Sequence, residues 1–241
     1  MADAARIVGV LGGMGPDATV DFMAKVIALT PAGKDQDHLH MLVDHNPTVP
    51  NRQAAILADG EDPKPALAAM AQRLQEAGAE FLVMPCNTAY VFQDAITTAT
   101  SIPLVSIIDV TIDVIAKQSP AITKVGILAT DGCLAAGVYQ KPLAAAGFEP
   151  ILPNDNELTE LMALLDKVKG GYQGEVISGA MRKLGQALES RGAQVIIAGC
   201  TEIPLVLDAS MLDVPLISST DVLAQVTVQL ARGELPLPIR E

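Results

Sequence analysis

The chain has 241 residues, half of them hydrophobic, and a formal net charge of −12. That acidic excess works against nucleic acid, whose phosphates would repel it, but leaves room for a small anionic ligand held by a local field. With no Trp and few aromatics the core must be Ala, Leu, Ile and Val, and three Cys, none in CxxC spacing, read as free thiols in a reducing cytoplasm. No charged stretch followed by a long apolar run opens the chain, and no uncharged run is long enough to span a bilayer, so a soluble protein without a membrane partner is expected.

In chain order, Arg6 to Leu11 reads as a buried strand and Gly12-Gly13-Met14-Gly15-Pro16 as a tight loop that lets the backbone approach something closely. A helix should follow from Asp17 to about Leu29, then a strand over His38 to Val43. Asp44 to Arg52 is a Pro-punctuated loop carrying one Arg, and Glu61 to Pro65 is a second loop. Ala66 to Ala77 has the periodicity of an amphipathic helix. The apolar run Phe81 to Met84 reads as a strand that delivers Pro85-Cys86-Asn87-Thr88-Ala89-Tyr90 at its end. A helix over Ala89 to Ala99 and a short strand over Ile102 to Ser106 complete a first α/β unit.

The pattern then restarts. Val125 to Leu128 echoes Val8 to Leu11, 117 residues on; Gly192 to Cys200 echoes Gly78 to Cys86, 114 residues on; Val214 to Ser218 echoes Ile102 to Ser106, 112 residues on. The slow drift of these offsets is what unequal loop lengths produce, so the chain is read as an internal duplication. Between the echoes lie a helix near Ala135 to Ala146, a strand near Phe148 to Leu152, and helices over Glu157 to Lys169 and Glu175 to Arg191. Asp221 to Arg232 is a last helix returning to the first half. The expected fold is α/β: two similar domains with parallel sheets flanked by helices, related by a pseudo-twofold, with a cleft between them. The first domain would span residues 1–108 and 218–241, the second 109–217.

The duplication places Cys86 and Cys200 at equivalent points, each where a buried strand ends and a turn begins, the edge at which open parallel sheets bind ligands. A lone buried Cys is ordinarily a small hydrophobe, and Cys133, which has no repeat partner, is read that way. Two equivalent thiols facing one ligand fit a specific chemistry. Inverting a carbon stereocentre by proton transfer needs a base on one face and an acid on the other, and a thiolate and a thiol supply them. Turns leading into helix N-termini after each Cys would lower the thiol pKa, and their N–H groups would hold a carboxylate. His38, His40 and His45 fit no zinc-ligand spacing, so no metal is expected. Arg52 would ordinarily be a solvated charge unless its loop folds over a ligand, and Lys169 a helix C-terminal charge. Gly13-Met14-Gly15-Pro16-Asp17-Ala18 fits the G-x-G-x-x-A dinucleotide pattern and keeps an NAD-dependent oxidoreductase as a rival, but its acidic partner is misplaced and the Cys repeat goes unexplained.

Taken together, Gly12-Gly13-Met14-Gly15-Pro16, His45-Asn46-Pro47 with Pro50 and Arg52, Pro85-Cys86-Asn87-Thr88-Ala89 and Gly199-Cys200-Thr201-Glu202 resemble the aspartate/glutamate racemase superfamily nearly end to end, and its aspartate branch above all. The resemblance implies a cofactor-independent amino-acid racemase, commonly a homodimer, acting on a small acidic amino acid with Cys86 and Cys200 as alternating acid and base. By motif position Asn87, Thr88 and Thr201 would hold the α-carboxylate, with Thr130 beside it. Arg52 and Lys169 would receive the side-chain carboxylate, and Met14-Gly15 would line the cleft. Tyr90 stands where the family commonly has His, Cys133 where it often has Thr, and Glu202, counted with the substrate-binding residues, where glutamate racemases have His. Relatives acting on hydantoins, arylmalonates or maleate, and a non-enzymatic amino-acid-binding protein, are the remaining alternatives.

Overall fold

A computed structural model of the chain describes residues 5–118 and 122–239. The chain divides into two compact units, Met1–Val110 with Thr220–Glu241, and Thr111–Ser219. The first contains β1 (Val8–Gly12), α1 (Pro16–Leu29), β2 (Met41–His45), α2 (Arg52–Leu57), α3 (Lys64–Glu76), β3 (Phe81–Val83), α4 (Gln93–Ala99) and β4 (Leu104–Val105). α5 (Ile107–Gln118) carries the chain from the first unit into the second. The second contains β5 (Lys124–Leu128), α6 (Asp131–Ala136), α7 (Gln140–Ala145), β6 (Glu149–Ile151), α8 (Asp155–Lys169), α9 (Glu175–Ser190), β7 (Val195–Ala198) and β8 (Leu216–Ser218). α10 (Ser219–Ala231) returns to the first, where Arg6 N–H donates to Ala231 O at 2.8 Å and Lys25 bridges Asp221 at 2.6 Å.

Each unit holds a four-stranded, wholly parallel sheet, ordered β2-β1-β3-β4 in one and β6-β5-β7-β8 in the other. In both, the chain leaves the first strand to one side and returns on the other. A topological switch point therefore lies between β1 and β3, and another between β5 and β7. Three of the inner strands, β1, β3 and β7, are apolar and buried along their whole length, and β5 is so after Lys124, as expected of a parallel sheet covered on both faces. In the second unit Leu161, Leu165, Met181, Leu184 and Leu188, from α8 and α9, close over Leu128 and Ile196. The aliphatic core is punctuated by the few aromatics available, Phe22 and Phe81 in the first unit and Tyr139 in the second, all fully buried.

The duplication reaches individual hydrogen bonds. Gly78 and Gly192 each end a helix with positive φ, and the next residue donates back to the helix, Ala79 to Leu74 O at 3.0 Å and Ala193 to Leu188 O at 3.1 Å. Gln75 Oε1 accepts from Ser101 and Ile102 N–H, and its counterpart Glu189 Oε1 accepts from Asp213 and Val214 N–H. Glu80 Oε2 accepts from Ile7 N–H, and its counterpart Gln194 Oε1 accepts from Thr123 and Lys124 N–H. Gly9 and Gly126 admit a side chain of the neighbouring strand closely: an added Cβ would lie 2.7 Å from Leu82 on β3 in one unit and 3.0 Å from Ile196 on β7 in the other.

Several elements differ from the sequence expectation. Arg52 opens a helix instead of ending a loop, because Asn51 caps it by accepting from Gln53 and Ala54 N–H at 2.9 and 3.2 Å. β2 starts at Met41 and continues through Asp44 and His45. The single helix expected near Ala135 to Ala146 is two, α6 and α7, broken at Gly137. The stretch after Cys86 is first a 3₁₀ turn, Thr88–Phe92, and only then α4.

α8 starts at a capping box. Asn154 Oδ1 accepts from Glu157 N–H at 3.0 Å, and Glu157 returns the bond to Asn154 N–H at 2.9 Å. Arg191, just past the end of α9, grips the same carboxylate and holds it below the usual range, so this clamp is complete near neutral pH and is lost as the carboxylate protonates in acid. Asn154→Ala is expected to cost about 1 kcal/mol, lowering the thermal midpoint by roughly 3 °C in a scanning calorimeter.

Candidate active site

The carboxyl ends of β1 and β3 meet at the first switch point. Beyond β1, Gly13 N–H donates to Thr19 Oγ1 at 2.8 Å and Thr19 Oγ1 donates to Gly15 O at 3.0 Å, which folds the glycine loop back onto α1. Asn46 N–H donates to Gly12 O at 3.1 Å, and Met14 is buried. Beyond β3, Cys86 follows Pro85, its N–H donating to Met84 O at 2.8 Å; Cys86, Asn87 and Thr88 are all buried. Tyr90, at the position where the resembled motif commonly has His, is buried and donates its hydroxyl to Val105 O at 2.6 Å. It pins the turn to the end of β4, and burial drives its pKa upward, so it stays a phenol. Its role is therefore to brace the Cys86 turn.

Arg52 sits on α2, which contacts the Thr88–Phe92 turn. Its Nη1 donates to Val49 O at 2.9 Å and Pro50 O at 3.0 Å, and its Nε is buried with no acceptor among the described residues. A half-buried guanidinium braced by its own loop and holding a spare donor is suited to a carboxylate.

The second switch point repeats the layout with different side chains. At the end of β5, Thr130 takes the place of Gly13 and caps α6, its Oγ1 accepting from Cys133 N–H at 3.3 Å. At the end of β7, Gly199 N–H donates to Leu128 O at 2.7 Å, and the Tyr139 ring lies where a Cβ on Gly199 would meet it at 3.0 Å. Cys200 follows, buried, and its Sγ donates to Glu202 Oε2 at 3.0 Å. Thr201 Oγ1 donates to the same oxygen at 3.2 Å, and Glu202 is itself buried. Burial and the Glu202 charge push the Cys200 thiol well up; the Lys169 charge, from the last residue of α8, opposes them.

For Cys200 this corrects the expectation that a helix N-terminus would lower the thiol pKa. After Cys200 comes only a 3₁₀ turn, Ile203–Leu205, too short for an appreciable dipole, and an acid stands beside the sulfur. None of the three cysteines is in a disulfide, and Cys133 lies wholly buried beneath the α6 cap. Among the described residues no group of three or more His, Cys, Asp or Glu is placed to hold a metal ion, and no helix is long and apolar enough to cross a membrane.

Comparison with known proteins settles the lineage. The model of the family described as Asp/Glu/Hydantoin racemase matches residues 11–227, which include every residue singled out above at the two switch points. The chain belongs to that family. A broad specificity amino-acid racemase, RacX of Bacillus subtilis (strain 168), is 31% identical over 226 residues, covering 92% of this chain and 96% of that protein. The solved aspartate racemase of Picrophilus torridus superposes with a TM-score of 0.81 at 26% identity, covering 94% of both chains. A glutamate racemase from Francisella tularensis, solved with D-glutamate, shares the fold, with a TM-score of 0.66 at 16% identity over 98% of this chain and 85% of that one. The two-sheet α/β architecture is thus a racemase fold, and the enzyme class is an isomerase.

Within this racemase-family frame the structure gathers Met14, Gly15, Cys86, Asn87 and Thr88 at the first switch point, with α2 and Arg52 against the Cys86 turn. It gathers Thr130, Cys200, Thr201 and Glu202 at the second, with Lys169 close enough to act on the sulfur. Sequence reasoning missed the thiol–carboxylate contact: the resemblance counts Glu202 among the substrate-binding residues, and here its acceptor oxygen is engaged by Cys200 and Thr201. It also missed Asn51 and Tyr139. The Asn51 cap was legible as an Asn ahead of a helix-forming run, whereas nothing in the sequence pointed Tyr139 at Gly199.

Proposed function

We propose that the protein interconverts L- and D-aspartate, and glutamate as a second substrate, by proton transfer at Cα without a cofactor. The observation that carries the reading is the duplication itself, because it sets a buried cysteine thiol at the carboxyl end of the equivalent strand in each half. In this reading one cysteine takes the Cα proton as thiolate while the other, as thiol, protonates the opposite face; the reverse reaction exchanges the roles. Buried polar groups at each switch point, Asn87 and Thr88 in one half and Thr130 and Thr201 in the other, would hold the α-carboxylate. Arg52 and Lys169 would neutralise the side-chain carboxylate. That matters because the carbanion-like transition state adds negative charge next to two carboxylates in a site of low dielectric. The enzyme would work as a cytoplasmic homodimer.

Incubation of the reduced protein with L-aspartate in D₂O, without added cofactor, tests the reading. D-aspartate carrying deuterium at Cα is the expected product; absence of both inversion and exchange with aspartate and glutamate would end it. Arg52→Ala is expected to lower kcat/KM for aspartate by about 100-fold or more, the cost of losing a charged hydrogen-bond donor in a desolvated site, with a much smaller loss on neutral amino acids. Equal losses on both substrate classes would remove Arg52 from the carboxylate pocket.

A further inference from the structure

The two halves are alike in backbone but differ in the residue two positions beyond the sulfur. Two residues beyond Cys200 a buried carboxylate accepts from Sγ at 3.0 Å, whereas the same place after Cys86 is taken by Thr88. Glu202 also accepts from Thr201 Oγ1, so the carboxylate is held from two sides and its Oε2 faces the thiol by construction. Such a pair is stable with the proton on sulfur. With the proton gone, two negative charges would stand in contact in a buried turn.

We propose that Glu202 keeps a proton on Cys200, so that in the free enzyme Cys200 rests as the thiol acid and Cys86 supplies the thiolate base. The assignment of Cys86 rests on the racemase reading, while the pairing of Glu202 with Cys200 stands on the geometry alone. Burial of Cys200 acts in the same sense as Glu202, and the charge that acts against them is Lys169, at the end of α8. Glu202 is therefore a positioning residue: it touches the sulfur and sets which thiol carries the proton. The proton balance is simple. Cys86 thiolate takes the Cα proton and Cys200 S–H gives its own to the opposite face, leaving Cys86 protonated and Cys200 as thiolate beside Glu202. Return to the resting form needs one proton to leave Cys86 and one to reach Cys200, exchanged with water or by the reverse reaction. A bias of this kind cannot make kcat/KM differ between directions, because the two enantiomers have equal free energy. It shows instead in kcat and KM separately, and in the alkaline limb of the pH profile, where Cys200 loses its proton.

The test is a timed iodoacetamide pulse on the reduced protein across pH 6 to 10, with each cysteine read by peptide mass spectrometry. Cys86 and Cys200 are exposed almost equally, 7% and 6%, so their relative rates report mainly on protonation. In the parent, Cys86 is expected to react at least about tenfold faster than Cys200 at pH 7.5. Glu202→Gln should speed Cys200 by about tenfold and move the alkaline limb of kcat/KM down by about one pH unit. Lys169→Met, at an exposed residue whose loss leaves the core intact, should slow Cys200 instead. Cys200 reacting faster than Cys86 in the parent, an unchanged Cys200 rate in Glu202→Gln, or a faster one in Lys169→Met would each overturn the proposal. Alkylation that responds as stated in a protein that racemises no acidic amino acid would uphold the pairing and overturn the racemase reading alone.

Discussion

Cys86→Ala and Cys200→Ala are each expected to lower racemisation of aspartate by about 10³-fold or more, whichever enantiomer is supplied. Removing one general acid or base alone costs on the order of 10²–10⁴. Here the loss falls in both directions, because each direction needs one sulfur to take a proton and the other to give one. What survives should differ between the variants. With Cys200 gone, Cys86 can still remove and return the proton on the face it meets, so one enantiomer should exchange Cα hydrogen for deuterium without inverting. With Cys86 gone, the other enantiomer should exchange, and only at more alkaline pH, since the remaining thiol is the one held protonated by its buried surroundings and Glu202. Chiral chromatography with NMR of Cα deuterium reads both. Parent-rate racemisation by either variant would dismiss a two-thiol mechanism.

Gly13→Ala is expected to cost about 4 kcal/mol or more and to lower the thermal midpoint by roughly 10 °C. Gly13 has φ of +91°, a conformation other residues adopt at a penalty of about 1–2 kcal/mol. The larger part is steric. A Cβ there would lie 2.4 to 2.7 Å from the backbone C, N and O of Asn46, atoms that no side-chain rotation can move aside. Relief requires the loop after β1 to part from the end of β2, breaking the Asn46 N–H bond to Gly12 O and disturbing Gly13 N–H on Thr19. Gly233→Ala is the matched control: its φ is also positive, at +73°, but nothing lies within 4 Å of the added carbon, so about 1 kcal/mol is expected. Calorimetry on the two variants separates strain from collision. Equal midpoints would mean that the β1 loop yields freely.

The sheet-forming runs and the restart of the pattern were legible because buried parallel strands write themselves as short, continuous apolar segments, Phe81 to Val83 and Val195 to Ala198 being plain examples. The positions of Cys86 and Cys200 followed from that. Helix ends were less legible where side chains decide them. α5 was not read at all, although Ser106 stands three residues ahead of Asp109 and its Oγ accepts from Asp109 N–H at 3.1 Å. Its hydrophobic start, Ile107-Ile108, ran on from the preceding strand and concealed the boundary. The Cys200–Glu202 contact was illegible for a different reason. Residues two apart lie on opposite sides of a helix and stand about 7 Å apart along one face of a strand, and only the particular turn after β7 folds Oε2 back onto Sγ.

The chain crosses between its two compact units twice, at Val110–Thr111 and at Ser219–Thr220. This has a consequence for synthesis on the ribosome. The second unit is one unbroken stretch and is complete once Ser219 has emerged. The first waits for α10, whose Ala231 receives the Arg6 N–H bond and whose Asp221 pairs with Lys25. The order of completion is therefore the reverse of the order of translation: the half made later closes first, and the Cys86 half spends the interval without its last helix.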